Sequence, residues 1–415
     1  MCSKTNRIIF HVDVNSAFLS WEAARRVRCG EIGEDLRQQE SAVGGDMSQR
    51  RGIILAKSIP AKRHGVKTGE SIPEALRKCP GLILVPPDYA LYRRCSRAFL
   101  RILGEYTPVV EPYSIDEAFM DMSGTSLLWG RPVETAEKIR QRIWDELGFT
   151  VNIGISTNKL LAKMASDFEK PNRVHTLFPE EIREKMWPLP VGALFSVGRA
   201  TEKQLHLLGI NTIGELANAN PVFLRKHLKK LGETVWAYAN GMDASPVREV
   251  PEENKGYGNS TTIAYDVQDG KAAGTVLLAL CEMVGARMRE AGVQAQMLSV
   301  GIKTCDWNYA AHQMILPVPT AVTGELYQYA LSLFRQLWNG RAIRQLGVQA
   351  GKVCRGGCVR QLSLFDRSDY FREAKADAAV DAIRKRYGRD AVKRAVFVGN
   401  PQMERLLHGL FSSRL

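Results

Sequence analysis

The pattern of apolar and polar positions in the first 170 residues alternates short apolar runs with stretches of helical spacing. Strands are predicted at residues 7–14, 52–56, 82–87, 109–112, 118–121 and 151–156, and helices at residues 16–26, 92–106, 133–146 and 159–168. Residues 28–50 are polar and glycine-rich and predict no regular element. This order of elements predicts an α+β fold in which helices cover one face of a sheet.

The pattern changes twice in the remainder of the chain. After a break at Pro171, residues 189–240 have helical spacing interrupted by glycines. Residues 244–258 are polar and predict a linker. Residues 259–350 return to mixed strands and helices, with strands at residues 261–265 and 297–303 and a helix at residues 273–291. A last helix is predicted at residues 370–387. The chain therefore has several structural parts.

Acidic residues occur at two strand ends about 100 residues apart. Asp13 lies near the end of the first predicted strand, and Asp116 and Glu117 lie between the arms of a predicted hairpin. Converging carboxylates repel one another unless cations lie between them. Mg²⁺ prefers oxygen ligands, and paired ions are the usual clamp for phosphoryl transfer. The pattern predicts two-metal chemistry on a nucleotide, although each cluster alone also fits a strand-end turn or an N-cap followed by acids.

The adjacent acids impose a condition on the backbone. Successive side chains on an ideal strand point to opposite faces, so Asp116 and Glu117 can act together only if the chain bends there. We therefore expect these two residues at the tip of the hairpin.

Composition narrows the class of protein. The 415 residues are 45% hydrophobic and 24% charged, as in ordinary globular proteins. No apolar run approaches the ~20 residues of a membrane span, and the N-terminus lacks the layout of a secretory signal. The eight cysteines are scattered, which is typical of reduced thiols in the cytoplasm. The spacing of Cys354 and Cys358, with no second ligand pair nearby, argues against zinc there.

The net charge of +13 points to a polyanionic partner. Lysine and arginine that neutralise phosphates release counterions from a nucleic acid, which favours binding. Charge alone does not separate DNA from RNA, or an enzyme from a passive binding protein.

Three motifs give the acidic residues a more specific context. Residues 11–18 (HVDVNSAF), 113–118 (YSIDEA) and 154–166 (GISTNKLLAKMAS) resemble the signatures of the Y-family DNA polymerases, in the family's order and spacing. The resemblance is clear from about residue 7 to residue 245 and weaker to about residue 365.

The resemblance implies a multidomain right-hand polymerase with palm, fingers, a helical thumb containing a helix-hairpin-helix, and a little finger. The implied segments are the palm at residues 1–28 and 85–170, the fingers at 29–84, the thumb at 171–243, the little finger at 244–357 and a C-terminal tail at 358–415.

The resemblance also assigns roles to the acidic residues. It implies that Asp13 and Asp116 bridge two Mg²⁺ ions and that the backbone carbonyl of Val14 helps to hold the nucleotide-side ion. Glu117 would ligate or orient the ion that activates the primer 3′-hydroxyl. Lowering the pKa of that hydroxyl and neutralising developing charge are what such ions do.

Three substrate contacts follow from the same resemblance. Phe18 stands at the family's steric-gate position, where a ring under the sugar would exclude a 2′-hydroxyl; core packing is the alternative. Lys159 is placed against the incoming triphosphate. The fingers motif departs from the family pattern, since Ile59 replaces a tyrosine and Lys62 replaces an arginine. Lys62 keeps the charge but loses the bidentate fork, which affects nucleotide affinity rather than the reaction class.

Two further segments resemble DNA-binding parts of the family. Residues 194–216 resemble a helix-hairpin-helix, in which Gly198, Arg199 and Gly209 would bring backbone N–H groups to a phosphate. An ordinary helical hairpin is the alternative. Residues 258–262 resemble the entry strand of the little finger, whose small polar groups suit template phosphates.

A short peptide after the little finger resembles the one by which bacterial polymerases bind the sliding clamp. It comprises Gln361, Leu362, Leu364 and Phe365. An extended peptide of this kind places its leucine and phenylalanine in a hydrophobic groove. A local packing strand is the alternative. About 50 residues follow, and they fit either an extra helix over the little finger or a DNA-contacting tail.

The sequence as a whole predicts a template-directed, low-fidelity DNA polymerase for synthesis past damaged bases. Its expected partners are primed template DNA, a dNTP, two Mg²⁺ ions and the sliding clamp. We expect a cytoplasmic monomer that takes part in DNA repair and the SOS response, without a membrane partner. The rival hypotheses are a non-catalytic DNA-binding scaffold, another palm-type enzyme such as a cyclase, and a polymerase that needs accessory subunits.

Overall fold

The computed structural model describes residues 7–31, 34–45, 52–250, 252–355 and 370–398. The chain forms two compact units that separate at residues 251 and 252. Within the described ranges, no helix combines the length and the apolar composition needed to span a membrane.

The first unit contains two sheets and their helices. Its strands are β1 (Ile9–Val14), β2 (Ser41–Gly44), β3 (Ile54–Lys57), β4 (Ile83–Val85), β5 (Val110–Pro112), β6 (Glu117–Asp121), β7 (Val151–Ser156) and β8 (Val174–Thr176). Its helices are α1 (Ala17–Arg28), α2 (Ile59–Arg63), α3 (Ile72–Lys78), α4 (Tyr89–Gly104), α5 (Ser126–Trp129), α6 (Pro132–Leu147), α7 (Lys159–Ser166), α8 (Arg199–Leu207), α9 (Ile213–Asn218), α10 (Pro221–Leu228) and α11 (Lys230–Ala239).

The larger sheet has the strand order β5-β6-β1-β7-β8 and is covered on both faces. Phe10 and Val12 of β1 point into a core shared with α1, α4 and α6. Ile9, on the opposite face, packs with Ala162 of α7. The α+β class is confirmed, but the prediction that helices cover one face is wrong. Because side chains alternate along a strand, His11 and Asp13 also lie on the α7 face.

Gly154 allows α7 to approach the sheet closely. A Cβ atom built at this position of β7 would lie 1.9 Å from the carbonyl oxygen of Ala162. Only glycine fits such a contact, so any side chain here would push α7 outward. The close packing of α7 fixes the side chains that this helix presents to the strand ends.

The smaller sheet has the order β3-β2-β4 and includes a strand that the sequence pattern did not predict. All four residues of β2 are buried. A strand this short, buried on both faces, shows no polar alternation and therefore gives no signal of period two. The prediction of no regular element in residues 28–50 is wrong at this strand. Helices α2 and α3 pack against this sheet around Ala61 and Ala75.

Residues 189–240 are helical as predicted. Helices α8 to α11 enclose a core that includes Leu205, Leu216, Leu224 and Val235. A π-helical turn at Ile182–Met186 and a short 3₁₀ turn at Val191–Ala193 precede α8.

The second unit is a four-stranded antiparallel sheet with helices on one face. Its elements are β9 (Gly256–Val267), α12 (Gly270–Glu290), β10 (Val293–Thr304), β11 (Tyr309–Thr320), α13 (Thr323–Leu337), β12 (Ile343–Arg355) and α14 (Tyr370–Tyr387). The strand order is β11-β10-β12-β9. The predicted linker at residues 244–258 is too long, because β9 begins at Gly256 and pairs with β12 from that residue onward.

Helix α14 confirms the last predicted helix and packs on this unit. Arg289 of α12 donates hydrogen bonds to Asp381 at 2.6 and 3.1 Å and to Asp377 at 3.1 Å. Asp377 also accepts the backbone N–H of Thr323, the first residue of α13, at 2.8 Å. Phe397, after the helix, is 1% exposed in the core of the unit. The described part of the C-terminal segment is thus an added layer over α12 and α13.

We predict that Arg289→Ala loosens α14 selectively. The substitution leaves Asp377 buried without its nearest cation, which costs about 3 kcal/mol. Hydrogen exchange of α14 amides should accelerate roughly 100-fold, while exchange in β10 and β12 stays unchanged. Arg287→Ala is the matched control, because Arg287 hydrogen-bonds to Gly258 of β9. Equal exchange of α14 in both variants would contradict this account of its docking.

Candidate active site

The pairing of β1 with its neighbours brings the predicted acids together. Asp13 lies directly opposite Glu117 of β6 and opposite Asn152 of β7. The backbone N–H of Val14 donates to the carbonyl of Asp116 at 2.9 Å. Asp13, Asp116 and Glu117 therefore meet at one end of the sheet.

The backbone bends at residues 113–117, as the adjacent acids required. The N–H groups of Tyr113 and Ser114 both donate to the carbonyl of Glu117, at 2.9 and 3.1 Å. Asp116 lies in this turn, just before β6 begins, and its Oδ1 accepts a 2.5 Å hydrogen bond from the Ser114 hydroxyl. Because Asp116 is outside the strand, strand alternation does not force it away from the side of Glu117.

Two lysines outside the predicted set of site residues neutralise the opposed carboxylates. Lys170 is ion-paired with Asp13, and Lys163 is ion-paired with Glu117. Both acids are largely shielded, with 16% and 17% of their side-chain surface exposed. Largely shielded carboxylates at one strand end need nearby positive charge, and their oxygens are the ligand type that hard divalent ions prefer. The residues present therefore fit a Mg²⁺ site.

His11 supports Glu117 from inside the fold. Its side chain is fully buried, with Nε2 3.0 Å from Glu117 Oε2 and Nδ1 2.8 Å from Ser166 Oγ. Burial lowers the pKa of His11, so the imidazole is neutral at pH 7. A proton on Nε2 then donates to the carboxylate, while the Ser166 hydroxyl beside Nδ1 donates to the carbonyl of Lys163 at 2.8 Å.

The two facing carboxylates differ in acidity. Burial alone would raise the pKa of Glu117, but hydrogen bonds from His11 and Lys163 outweigh it and hold the pKa at about 2. Burial raises the pKa of Asp13, and the opposing effect of Lys170 only partly offsets it. Glu117 is thus a fixed anion, whereas Asp13 gains most from a cation of higher charge.

Two asparagines position the segment that carries Lys170. Asn152 Nδ2 donates to the carbonyls of Ser166 and Glu169, at 3.1 and 2.6 Å. Asn15 Oδ1 accepts the N–H of Asn172 at 2.9 Å. These bonds hold the turn after α7 against the end of β1. Lys170 could have been found from the sequence by one feature. A helix that directly follows a strand runs back along the sheet, so a lysine just after α7 comes near the start of β7, which lies beside Asp13.

Lys159 lies away from the acids. It begins α7 beyond Ser156, which pairs with Ile9 at the opposite end of β1 from Asp13. Its ammonium group contacts both oxygens of Glu111, at 2.7 and 2.8 Å. The predicted contact of Lys159 with a triphosphate stays a prediction, and in this structure Glu111 holds the side chain.

The other predicted substrate contacts lie on separate elements. Phe18, in the first turn of α1, is half-buried and stacks on Tyr92 with ring centroids 4.6 Å apart. Lys62 is exposed on α2, three residues after the exposed Ile59. Both roles remain predictions.

The glycines of the predicted helix-hairpin-helix lie at the ends of α8. Gly198 is its N-cap, Arg199 its first residue, and Gly209 follows it with a φ of 78° that favours glycine. The peptide at residues 361–365 lies outside the described residues.

Family models match most of the chain. The impB/mucB/samB family matches residues 12–167, its C-terminal domain matches residues 254–364, and the family's helix-hairpin-helix motif matches residues 179–210.

Curated relatives and a solved structure give the same result. The chain is 44% identical to DNA polymerase IV of Clostridium acetobutylicum, with 95% of this chain and 98% of the relative covered. It is 36% identical to DNA polymerase IV 1 of Bacillus subtilis, with 94% and 92% covered. A Y-family DNA polymerase chimera (Dbh-Dpo4-Dbh) shares the fold with a TM-score of 0.72 at 22% identity, over 84% of this chain and all of the other.

The two-unit α+β architecture, with carboxylates paired at a sheet end, is thus that of the Y-family polymerase fold. The chain belongs to the impB/mucB/samB family of Y-family DNA polymerases.

We predict that His11→Ala weakens divalent-ion binding at the acids by about tenfold, because supporting hydrogen bonds orient the ligands of metal sites. Mn²⁺ binding followed by calorimetry measures the change directly. Ser166→Ala should have a smaller effect, since Ser166 touches Glu117 only through His11. Unchanged Mn²⁺ affinity in a folded His11→Ala protein would show that the imidazole is a packing group only.

Proposed function

We infer that this chain is a DNA-directed DNA polymerase of the low-fidelity, translesion class, acting in DNA repair and damage tolerance. The observation that carries this conclusion is the opposed pair of Asp13 and Glu117, with Asp116 in the adjoining bend. The chain that holds it is 44% identical over nearly its whole length to a DNA polymerase IV.

The acids are proposed to hold two Mg²⁺ ions together with the backbone carbonyl of Val14. Bound ions of this kind acidify an attacking hydroxyl and neutralise the charge that develops on a transferred phosphoryl group. Glu117 supports this assignment because His11 and Lys163 keep it anionic. Asp13 and Asp116 contribute the other carboxylates of the all-oxygen donor set.

The lysine on Asp13 suggests which side chain receives the triphosphate. Lys170 keeps 36% of its side-chain surface exposed while it is paired with Asp13. A cation of higher charge at Asp13 would compete for that carboxylate and free the ammonium group. An incoming dNTP brings negative charge to the same place, so Lys170 can contact its phosphates as a flexible point charge.

Phe18 is proposed to select the sugar. It follows Asp13 by five residues at the start of α1, and part of its ring surface is exposed. Stacking on Tyr92 fixes the ring, so a 2′-hydroxyl placed against it would clash rather than displace it. Lys62 on α2 supplies charge at the fingers position without a bidentate fork.

Primed DNA is proposed to contact two surfaces, one in each unit. In the first unit, the N-terminus of α8 after Gly198 presents backbone N–H groups suited to a phosphate. In the second unit, small polar residues and Lys303 line a concave region on the sheet. It includes Asn259, Ser260 and Gln345, which suit phosphates and read no sequence.

The remaining partner assignments rest on the sequence alone. Residues 361–365, which lie outside the described residues, are proposed to bind the sliding clamp. The monomeric state, the cytoplasmic location and the link to the SOS response stay predictions.

Removal of the paired acids tests the reaction. Asp116→Ala/Glu117→Ala should abolish primer extension on an undamaged template with Mg²⁺ and four dNTPs, by roughly 1000-fold or more, because metal-borne charge stabilisation is worth several kcal/mol. The matched control is Asp145→Ala/Glu146→Ala, an adjacent acid pair exposed on α6. Retained DNA binding without extension by the natural sequence would favour a scaffold or a missing subunit. Product formation without a template would favour a cyclase-like enzyme.

A comparison of two lysine variants tests the triphosphate contact. Lys170→Ala should raise the KM for dNTP about tenfold, since a charge-assisted hydrogen bond is worth about 1.5–3 kcal/mol. Lys159→Ala should leave this KM nearly unchanged, because Glu111 occupies its ammonium group. The reverse result would support the contact predicted from the sequence for Lys159.

A further inference from the structure

Three side chains with different donor atoms converge beside the smaller sheet, on a part of the first unit that the acid site does not use. Glu40 immediately precedes β2, the central strand. His64 follows the last residue of α2, and Cys79 follows the last residue of α3. The three residues are 24 and 15 positions apart in sequence, so tertiary packing alone brings them together.

The carboxylate of Glu40 lies between the other two groups. Its Oε1 is 2.7 Å from His64 Nε2, and its Oε2 is 3.2 Å from Cys79 Sγ. One ligand atom from each residue can be chosen so that all three lie within 4.8 Å of one another. A tetrahedral ion with bonds of about 2.0–2.3 Å separates its ligands by roughly 3.3–3.8 Å. Changes of up to about one ångström in these separations would therefore convert the hydrogen-bonded cluster into a coordination sphere.

The donor set selects the kind of ion. A thiolate, an imidazole and a carboxylate together suit Zn²⁺ and similar transition ions, whereas Mg²⁺ prefers oxygen alone. Burial and Glu40 raise the pKa of the Cys79 thiol, so without an ion the thiol stays protonated and donates to Glu40. An ion that binds here would displace this proton and take the sulfur as a thiolate.

We propose that Glu40, His64 and Cys79 form a binding site for a Zn²⁺-class ion. The ion would join the central strand to the ends of α2 and α3. Cys79 is 1% exposed, while 47% of the His64 side chain and 40% of the Glu40 side chain are exposed. The site is therefore anchored in the core on the sulfur side and open on the other, which leaves a fourth position for water or an added ligand.

Ion binding would act on the position of α2. This five-residue helix carries Lys62, the predicted nucleotide contact, and a short helix depends on its neighbours for order. Coordination of His64 at its C-terminus would hold α2 against β2. The site would thus link a bound transition ion to the order of the fingers segment, separately from the Mg²⁺ chemistry at Asp13 and Glu117.

Co²⁺ is the probe for this site, because its spectrum identifies the ligand atoms. Titration of the reduced, full-length chain should give a thiolate-to-Co²⁺ charge-transfer band together with tetrahedral visible bands, saturating at one equivalent. Zn²⁺ should bleach both features. Mg²⁺ should not, since it does not compete for sulfur.

Variants separate this site from the other places where Co²⁺ can bind. Cys79→Ser should remove the charge-transfer band. His64→Gln, at an exposed position, should weaken Co²⁺ binding by about tenfold or more without disturbing the core. Two double variants serve as controls. Cys354→Ser/Cys358→Ser removes the other closely spaced cysteines, and Asp116→Ala/Glu117→Ala removes two carboxylates of the proposed Mg²⁺ site. Both variants should keep the charge-transfer band.

The same titration can overturn the proposal. Co²⁺ binding with no charge-transfer band would show that the cluster is a metal-free hydrogen-bond network. Loss of the band in Cys354→Ser/Cys358→Ser, with the band intact in Cys79→Ser, would place the ion elsewhere. Hydrogen exchange of the α2 amides, measured with and without Zn²⁺, supplies a second readout. If α2 exchanges at the same rate in His64→Gln and in the natural sequence when Zn²⁺ is present, the proposed link between the ion and α2 is wrong.

Discussion

The repulsion between carboxylates that face each other across β1 and β6 is the constraint on which the active site depends. The register sets Asp13 opposite Glu117, and the bend before β6 adds Asp116. Carboxylates gathered at one end of a sheet and largely shielded from water are stabilised by positive charge beside them. The fold supplies Lys163 and Lys170 for this purpose, and the reaction is proposed to use Mg²⁺ ions at the same carboxylates.

The direction of α7 brings the required positive charge to the acids. The helix leaves the far end of β7 and runs back along the sheet, so that Lys163, Ser166 and the turn with Lys170 follow one another toward the acids. Gly154 lets the helix lie close enough for Ser166 to reach His11. The sheet end that carries the three acids is thus supported by α7, whose Lys163 and Ser166 point at the sheet rather than at water.

Much of this arrangement could be predicted from the sequence, and the parts that could not share a physical cause. Strand β1, the hairpin bend and the three acids follow from local patterns because each depends on a few neighbouring residues. Strand β2 was missed because four buried residues carry no alternation. The contacts of Lys159 and Lys170 could not be distinguished, since both are lysines near the ends of one helix and only its direction along β7 decides which one reaches Asp13.

By itself the sequence predicted the class of chemistry, through three motifs that resemble those of the Y-family polymerases, and the order of the structural parts, through changes in apolar spacing. The tertiary structure decided which cations lie on those carboxylates, because ion pairing depends on distances between residues as far apart as Asp13 and Lys170. It likewise placed Glu40, His64 and Cys79 together and docked α14 through Arg289. Local propensity acts over a few residues, whereas charge pairing and close packing act only between surfaces that folding has already brought into contact.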